Sequence, residues 1–234
     1  MAQGKSFVHY ASRIAQNLPP PLANMLRHAK LSVLNMRSRE AVFSSIARNN
    51  GWNGTESVSG PGSTMEATSH LRAALPALLT KYGIRSVLDL PCGDAHWVSH
   101  CLPEGVDYIG ADIVPDLIER NRKQKSSLGR FEVLDIVTDD LPCCDLVMVR
   151  DCLVHLPNDM AQKALLNIKR SRIAYLLTNT YPGRADNRDI VIGDYRPLDL
   201  SIAPFNLPAP LEMVFETEGL VYGKYMALWK VSQL

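Results

Sequence analysis

Val87-Leu88-Asp89-Leu90-Pro91-Cys92-Gly93-Asp94-Ala95-His96-Trp97 is the stretch that decides the fold. An apolar run breaks on a carboxylate, a proline and a glycine, then resumes in apolar and aromatic residues. That order predicts a buried strand, a tight turn and a helix. In an open α/β sheet, ligands sit beyond the carboxyl ends of the strands, beside the reversal of strand order that usually flanks the first strand. Asp89, Pro91, Cys92 and Gly93 are therefore candidate binding residues, with His96 facing the same pocket from the start of the next helix.

Downstream, the pattern alternates. Strands are predicted at Ser86–Leu90, Tyr108–Ile113, Phe131–Leu134, Asp145–Val149 and Ile173–Thr178, with helices at Val114–Gln124, entered at Pro115, and Asn158–Lys169. Alternation of this kind implies a parallel sheet covered on both faces. The rhythm then breaks. Residues 181–210 form a Pro/Gly-containing connection, and Leu211–Glu216 and Tyr222–Val231 read as an antiparallel hairpin around Glu218-Gly219. Upstream of the first strand, a helix is expected over Met65–Tyr82, capped by Ser63 or Thr64 and ended by Gly83. Before it runs a breaker-rich loop, residues 49–62, whose one large aromatic is Trp52. Residues 1–17 and 22–50 both read as helical, split by Pro19-Pro20-Pro21. The expected organisation is a helical extension over 1–50 and an α/β domain over 51–234.

Three acidic strand ends outline a nucleoside pocket. Asp112, with Ile113 beside it, is placed for its carboxylate to accept both hydroxyls of a ribose, and Asp135 ends the third strand where it could accept from an exocyclic amine. A dinucleotide fingerprint would require G-x-G-x-x-G, so that backbone can approach a pyrophosphate. This turn has Pro91 at the first glycine position and no lysine or arginine to meet phosphate. Asp89 would repel phosphate but suits the ammonium of an amino acid. A cofactor built from adenosine, a sulfonium and an aminocarboxylate fits better.

On these residues the chain resembles the class I S-adenosylmethionine-dependent methyltransferases. Val87–Gly93 is similar to their first motif, Tyr108–Asp112 to their ribose-binding strand end, and Leu134-Asp135-Ile136 to their adenine-contacting motif. Asp145–Leu156 resembles their fourth strand and the turn after it. A narrower resemblance, to bacterial methyltransferases with S-G-x-G-S-x-x-x-x-T and P-C-G-D-x-x-W, rests on Ser59–Thr68 and Pro91–Trp97. It extends through Arg150–Leu156, Asn187–Ile190 and Ala203–Pro210, and so spans about residues 50–234. The resemblance implies a Rossmann-like α/β fold: a seven-stranded, mostly parallel sheet ending in an antiparallel hairpin, with S-adenosyl-L-methionine as cofactor. It implies cofactor contacts from Asp89, Pro91, Cys92, Gly93, His96, Asp112, Ile113, Asp135, Ile136 and Arg150. Pro91 is the departure, since it removes a backbone donor from the first motif.

Arg150, Asp151 and His155 follow the fourth strand, where this fold places groups between methyl donor and acceptor; they are the candidate catalytic residues. A hydroxyl acceptor requires a base, and histidine suits neutral pH. Asp151 and His155 are four apart, so a helical face would let the carboxylate orient the imidazole. The polar connection over residues 181–210 resembles an acceptor-binding lid. Asn179, Asn187, Asp189 and Arg196, with Trp52, are the candidate acceptor-binding residues. The expected activity is methyl transfer, by preference to oxygen, on a small-molecule or glycan acceptor. A nicotinamide-dependent dehydrogenase is disfavoured by the missing glycines, and a scaffold without turnover has only Pro91 in its support.

Composition limits the rest. The 234 residues are 46% hydrophobic and 21% charged, which excludes wholesale disorder, and the net charge of +1 makes nucleic acid an unexpected partner. Residues 1–48 carry seven bases against one acid, however; the predicted N-terminal helices are expected to pack across the domain with that charge on a solvated face, the alternative being contact with a membrane surface or an acidic partner. The five cysteines form no CxxC pair, and no His/Asp/Glu cluster has metal-ligand spacing; no metal is expected. No apolar stretch approaches the length of a membrane span. The cytoplasm is the expected compartment.

Overall fold

The computed structural model describes residues 38–217 and 223–234. The helix expected over 1–17, the proline break, the first part of the 22–50 helix and the Glu218-Gly219 turn lie outside the described residues.

Seven strands form one sheet in the order β3-β2-β1-β4-β5-β7-β6. Strands β1 (Ser86–Asp89), β2 (Asp107–Asp112), β3 (Arg130–Val133), β4 (Leu146–Val149) and β5 (Tyr175–Thr180) are mutually parallel. Strand β7 (Lys224–Lys230) runs antiparallel to β5, and β6 (Glu212–Thr217) antiparallel to β7. The architecture is thus the Rossmann-like α/β fold, mostly parallel with a terminal antiparallel pair. Strand order reverses between β1 and β4, so the crevice opens at their carboxyl ends.

The apolar runs exist because the central strands are buried on both faces. Along β4, Leu146 and Met148 enter one core, while Val147 and Val149 enter the other. Helix α2 (Ser69–Lys81) lays Leu71, Leu75, Leu78 and Leu79 on the first face. Helix α4 (Asn158–Arg170) lays Ala161, Ala164, Leu165 and Ile168 on the second. Helix α3 (Pro115–Gln124) begins at its proline, which has no amide hydrogen to leave unsatisfied there. Helix α1 (Arg39–Arg48) is capped by Ser38, whose hydroxyl accepts the Ala41 N–H, and inserts Val42 into the second core.

Two local expectations are corrected. The helix expected after the first turn is only a 3₁₀ turn at Val98–His100, because the backbone turns left-handed at Gly93 and again at Ala95 (φ 49°). The Asp151–His155 segment is likewise no α-helix: Asp151 has φ 52° and a single 3₁₀ turn spans Leu153–His155. A further feature has no local sequence signal. Strand β6 carries a bulge between Phe215 and Thr217, which face Tyr225 and Lys224, so Glu216 is an extra residue. The bulge turns Glu216 inward, to 1% exposure.

Candidate active site

The carboxyl ends of β1 to β4 surround a cavity of about 1010 Å³, counting its open mouth. It is floored by Asp89, Pro91, Cys92 and Gly93 after β1, Asp112 and Ile113 after β2, Asp135 and Ile136 after β3, and Arg150, Asp151 and His155 after β4. Trp52 closes it from the Gly/Ser loop. The structure therefore gathers twelve residues singled out in the sequence at one opening.

Each acidic strand end has internal partners. Asp89 Oδ2 accepts the Tyr108 hydroxyl at 2.8 Å, and burial pushes the carboxyl up to about 7, against that hydrogen bond and the Arg150 charge. Asp112 accepts the Gly93 N–H at 3.1 Å and the Val114 N–H at 2.9 Å; burial outweighs these bonds and raises it to about 6. The Cys92 N–H donates to the Ala111 carbonyl at 2.7 Å, so the turn's own donors are directed at β2 rather than at a ligand. Gly93 sits at φ 54°, and a Cβ there would lie 2.1 Å from Ser59 Oγ. Asp135 accepts the Val137 N–H at 2.9 Å and, unforeseen in the sequence, the Arg39 Nε–H at 2.6 Å.

Arg39, Phe43 and Ala47 recur every four residues along α1, and all three line the cavity. The helix is therefore a roof. A helix through this stretch was expected from the sequence, but only the fold shows what its face covers.

At the end of β4 the geometry differs from expectation. Asp151 does not orient His155. Its N–H donates to Asn179 Oδ1 at 2.5 Å, and its Oδ2 takes Lys224 Nζ at 2.7 Å and Arg150 Nη1 at 3.2 Å. Burial would push this carboxyl up; Lys224 and Arg150 outweigh burial and hold it down near 2. His155 Nδ1 instead lies 2.8 Å from the Asp194 carbonyl. A carbonyl only accepts, so Nδ1 carries the hydrogen and Nε2 of the neutral ring keeps its lone pair. Burial holds His155 below its ordinary range, opposed by the Asp194 hydrogen bond and by the Asp151 charge. The ring packs 5.1 Å from that of Trp52 and 5.7 Å from that of Tyr195.

Arg150 is fully committed. Its guanidinium contacts Glu216, reaches the Gly62 carbonyl at 2.6 Å and lies 5.4 Å from the Trp97 ring centroid. It braces the site and keeps no donor fork for a reacting group.

Several expected residues stand away from the cavity. His96 Nε2 lies 3.4 Å from Glu56 Oε2, outside the opening. Asn187 donates to the Asp199 and Ala203 carbonyls at 2.7 and 3.0 Å, fixing the long connection to itself. Asp189 Oδ1 accepts the Asn158 N–H at 2.7 Å and so caps α4. Arg196 is fully buried, donating to the Leu153 carbonyl at 3.0 Å and Asn158 Oδ1 at 2.8 Å. These polar side chains hold the connection together; they read as lid residues because a sequence does not distinguish internal from external partners. Asn179 is buried beside Asp151.

Among the described residues, no group of His, Cys, Asp and Glu is arranged to hold a metal ion, and no helix is long and apolar enough to cross a membrane.

Comparison with known proteins agrees with this architecture. Residues 87–171 match the family model of a methyltransferase domain. Magnesium protoporphyrin IX methyltransferase from Synechocystis, solved with bound S-adenosylmethionine, superposes with a TM-score of 0.59 at 14% identity, covering 83% of this chain and 98% of that one. An S-adenosylmethionine-dependent methyltransferase from Clostridium acetobutylicum superposes with a TM-score of 0.53 at 11% identity, covering 70% and 91% of the two chains. No curated protein matches the sequence. The chain shares the fold of these S-adenosylmethionine-dependent methyltransferases, and the stretch that matches the family model, residues 87–171, includes the strand ends described above.

Proposed function

We propose that this methyltransferase domain passes the methyl group of S-adenosylmethionine to an oxygen of a small-molecule or glycan acceptor, with His155 as the general base. The observation that carries the reading is the pairing of two features at one opening. Acidic strand ends suit the cofactor, and a neutral histidine with its Nε2 lone pair free stands beyond them.

The residues fit this cofactor better than a nucleotide diphosphate. Asp112 retains accepting capacity for a ribose diol, and the ionised Asp89 suits an ammonium. The Cys92 and Gly93 N–H groups are spent on β2 and Asp112, so the turn offers no cradle to a pyrophosphate. The two arginines at the cavity, Arg39 and Arg150, are each matched with a carboxylate. When bound, the cofactor supplies an electrophilic methyl group.

The protein's own work is orientation, exclusion of water and removal of one proton. Trp52 and Phe43 cover the opening with apolar surface. His155 Nε2 takes the acceptor's hydroxyl proton, while the Asp194 carbonyl holds the resulting imidazolium in place through Nδ1.

Calorimetry with S-adenosylmethionine, S-adenosylhomocysteine and NAD tests the cofactor. Binding of the first two without NAD is expected, and NAD binding alone would refute the reading. His155→Ala tests the base. Transfer to a panel of phenols and glycans should fall at least ~100-fold with S-adenosylhomocysteine affinity kept. Unchanged transfer would remove His155 from that role.

A further inference from the structure

Four charged side chains close a ring of alternating sign beneath the cavity. Arg150 Nε donates to Glu216 Oε1 at 2.5 Å, and Lys224 Nζ lies 3.1 Å from Glu216 Oε2. Lys224 Nζ lies 2.7 Å from Asp151 Oδ2, and Arg150 Nη1 returns to the same oxygen at 3.2 Å. Glu216 comes from the β6 bulge and Lys224 from the first residue of β7, so half the ring belongs to the terminal hairpin. The side chains of Glu216, Arg150 and Lys224 are 0%, 4% and 8% exposed. Taking four charges out of water is costly, and an apolar cluster of equal volume would stabilise the fold at least as well.

What the ring holds is the end of β4. Asp151 is the member with most remaining exposure, and it faces the cavity with its backbone left-handed at φ 52°. Such a conformation persists only where its surroundings over-determine it. Asn179 grips the Asp151 N–H, Arg150 and Lys224 grip its carboxylate, and four residues on stands His155.

We propose that Lys224 is a positioning residue: from the antiparallel strand it fixes the Asp151 carboxylate at the cavity wall and keeps His155 neutral for proton removal. This rests on the reading of His155 as the base. The charges that act on His155 are Asp151 from the β4 end, Arg196 from the long connection and Lys224 from β7. The Asp194 carbonyl and the rings of Trp52 and Tyr195 pack against His155. Asp151 draws a proton toward the imidazole, whereas Arg196 and Lys224 oppose it. With Lys224 gone, the Asp151 charge is offset by Arg150 alone and the imidazole holds its proton to higher pH.

The test needs no acceptor. The full chain, labelled with ¹⁵N-histidine, is titrated by NMR, and the His155 signal is identified by its loss in His155→Gln. The variant combines Lys224→Met with Glu216→Gln, which removes one charge of each sign and leaves Arg150 paired with Asp151. Lys224→Arg is the conservative control. The His155 midpoint should move to higher pH in the double variant and return in Lys224→Arg, with S-adenosylhomocysteine affinity within about threefold of the original throughout. A midpoint that stays put in a double variant still binding S-adenosylhomocysteine overturns the proposal and leaves the methyltransferase reading standing. Failure of the unaltered chain to bind S-adenosylhomocysteine overturns that reading instead. If the double variant does not fold, Lys224→Gln, uncharged but still able to donate to Asp151, serves in its place with the same two outcomes.

Discussion

Asp89 stands nearest the conflict between stability and binding. Burial raises its carboxyl to about 7. A raised carboxyl contributes stability that is fully present below its unfolded value, near 3.9, and lost as pH rises through 7. Ionised Asp89 is thus a cost to the fold at pH 8. Asparagine would keep an oxygen to accept the Tyr108 hydroxyl and would carry no charge. Asp89→Asn is expected to be more stable than the original by about 1–3 kcal/mol at pH 8, with the gain vanishing toward pH 4. Urea titrations at the two pH values check this. Under the proposed cofactor assignment, binding should show the opposite effect, with S-adenosylhomocysteine affinity falling at least ~10-fold as the proposed partner for its ammonium is lost. The strand-end acids were legible in the sequence because a carboxylate closing an apolar run has few structural reasons to be there. The partners of Asn187, Asp189 and Arg196 were not. A polar side chain in a long connection looks the same whether it faces a ligand or caps α4, and only the folded path decides.

At the scale of elements, helix α1 carries the main functional surprise. Arg39 latches the roof to Asp135 by a half-buried ion pair, and Phe43 continues the cover toward Trp52, with ring centroids 6.3 Å apart. An ion pair of this exposure contributes modestly, so breaking it costs little. Arg39→Ala should raise both association and dissociation rates of S-adenosylhomocysteine, the second more, for a three- to tenfold weaker Kd, or about 1 kcal/mol. Stopped-flow binding at low and high salt checks it, because salt should weaken the original toward the variant and leave the variant unchanged. The apolar runs of the central strands and the helices α2 to α4 were readable from sequence, since burial writes them there. The left-handed residues Ala95 and Asp151 were not: alanine carries no mark for that conformation, and the tendency of aspartate toward it is too weak to single out one aspartate among the others.

For the whole molecule, the parallel strands and the cavity are one system: the strands that build both cores also end at the opening. Ligand binding should therefore report on global stability. Leu75→Ala empties part of the α2 core and is expected to cost about 2–5 kcal/mol. S-adenosylhomocysteine at a hundredfold excess over its Kd should return about 2.7 kcal/mol to original and variant alike. Thermal unfolding with and without the ligand measures both quantities; a variant that gains much less would show that the α2 face and the cavity are separable. The alternation of strand and helix conveyed this unity in outline. The closing hairpin was readable as two strands, but not as a supplier of buried charge.

The bulge in β6 has a consequence for how the chain tolerates changes in length. Residues after Glu216 are one step out of phase with those before it, so the strand counts as well as pairs. Loss of a single residue between Met213 and Thr217 would restore a regular ladder and exchange the inward carboxylate for an outward one, leaving Arg150 and Lys224 buried against Asp151 alone. The hairpin lies far along the chain from the Pro91–Gly93 turn, yet its spacing is as constrained as that of the turn. A strand that looks like ordinary edge structure is in effect a ruler, with one residue as its smallest division.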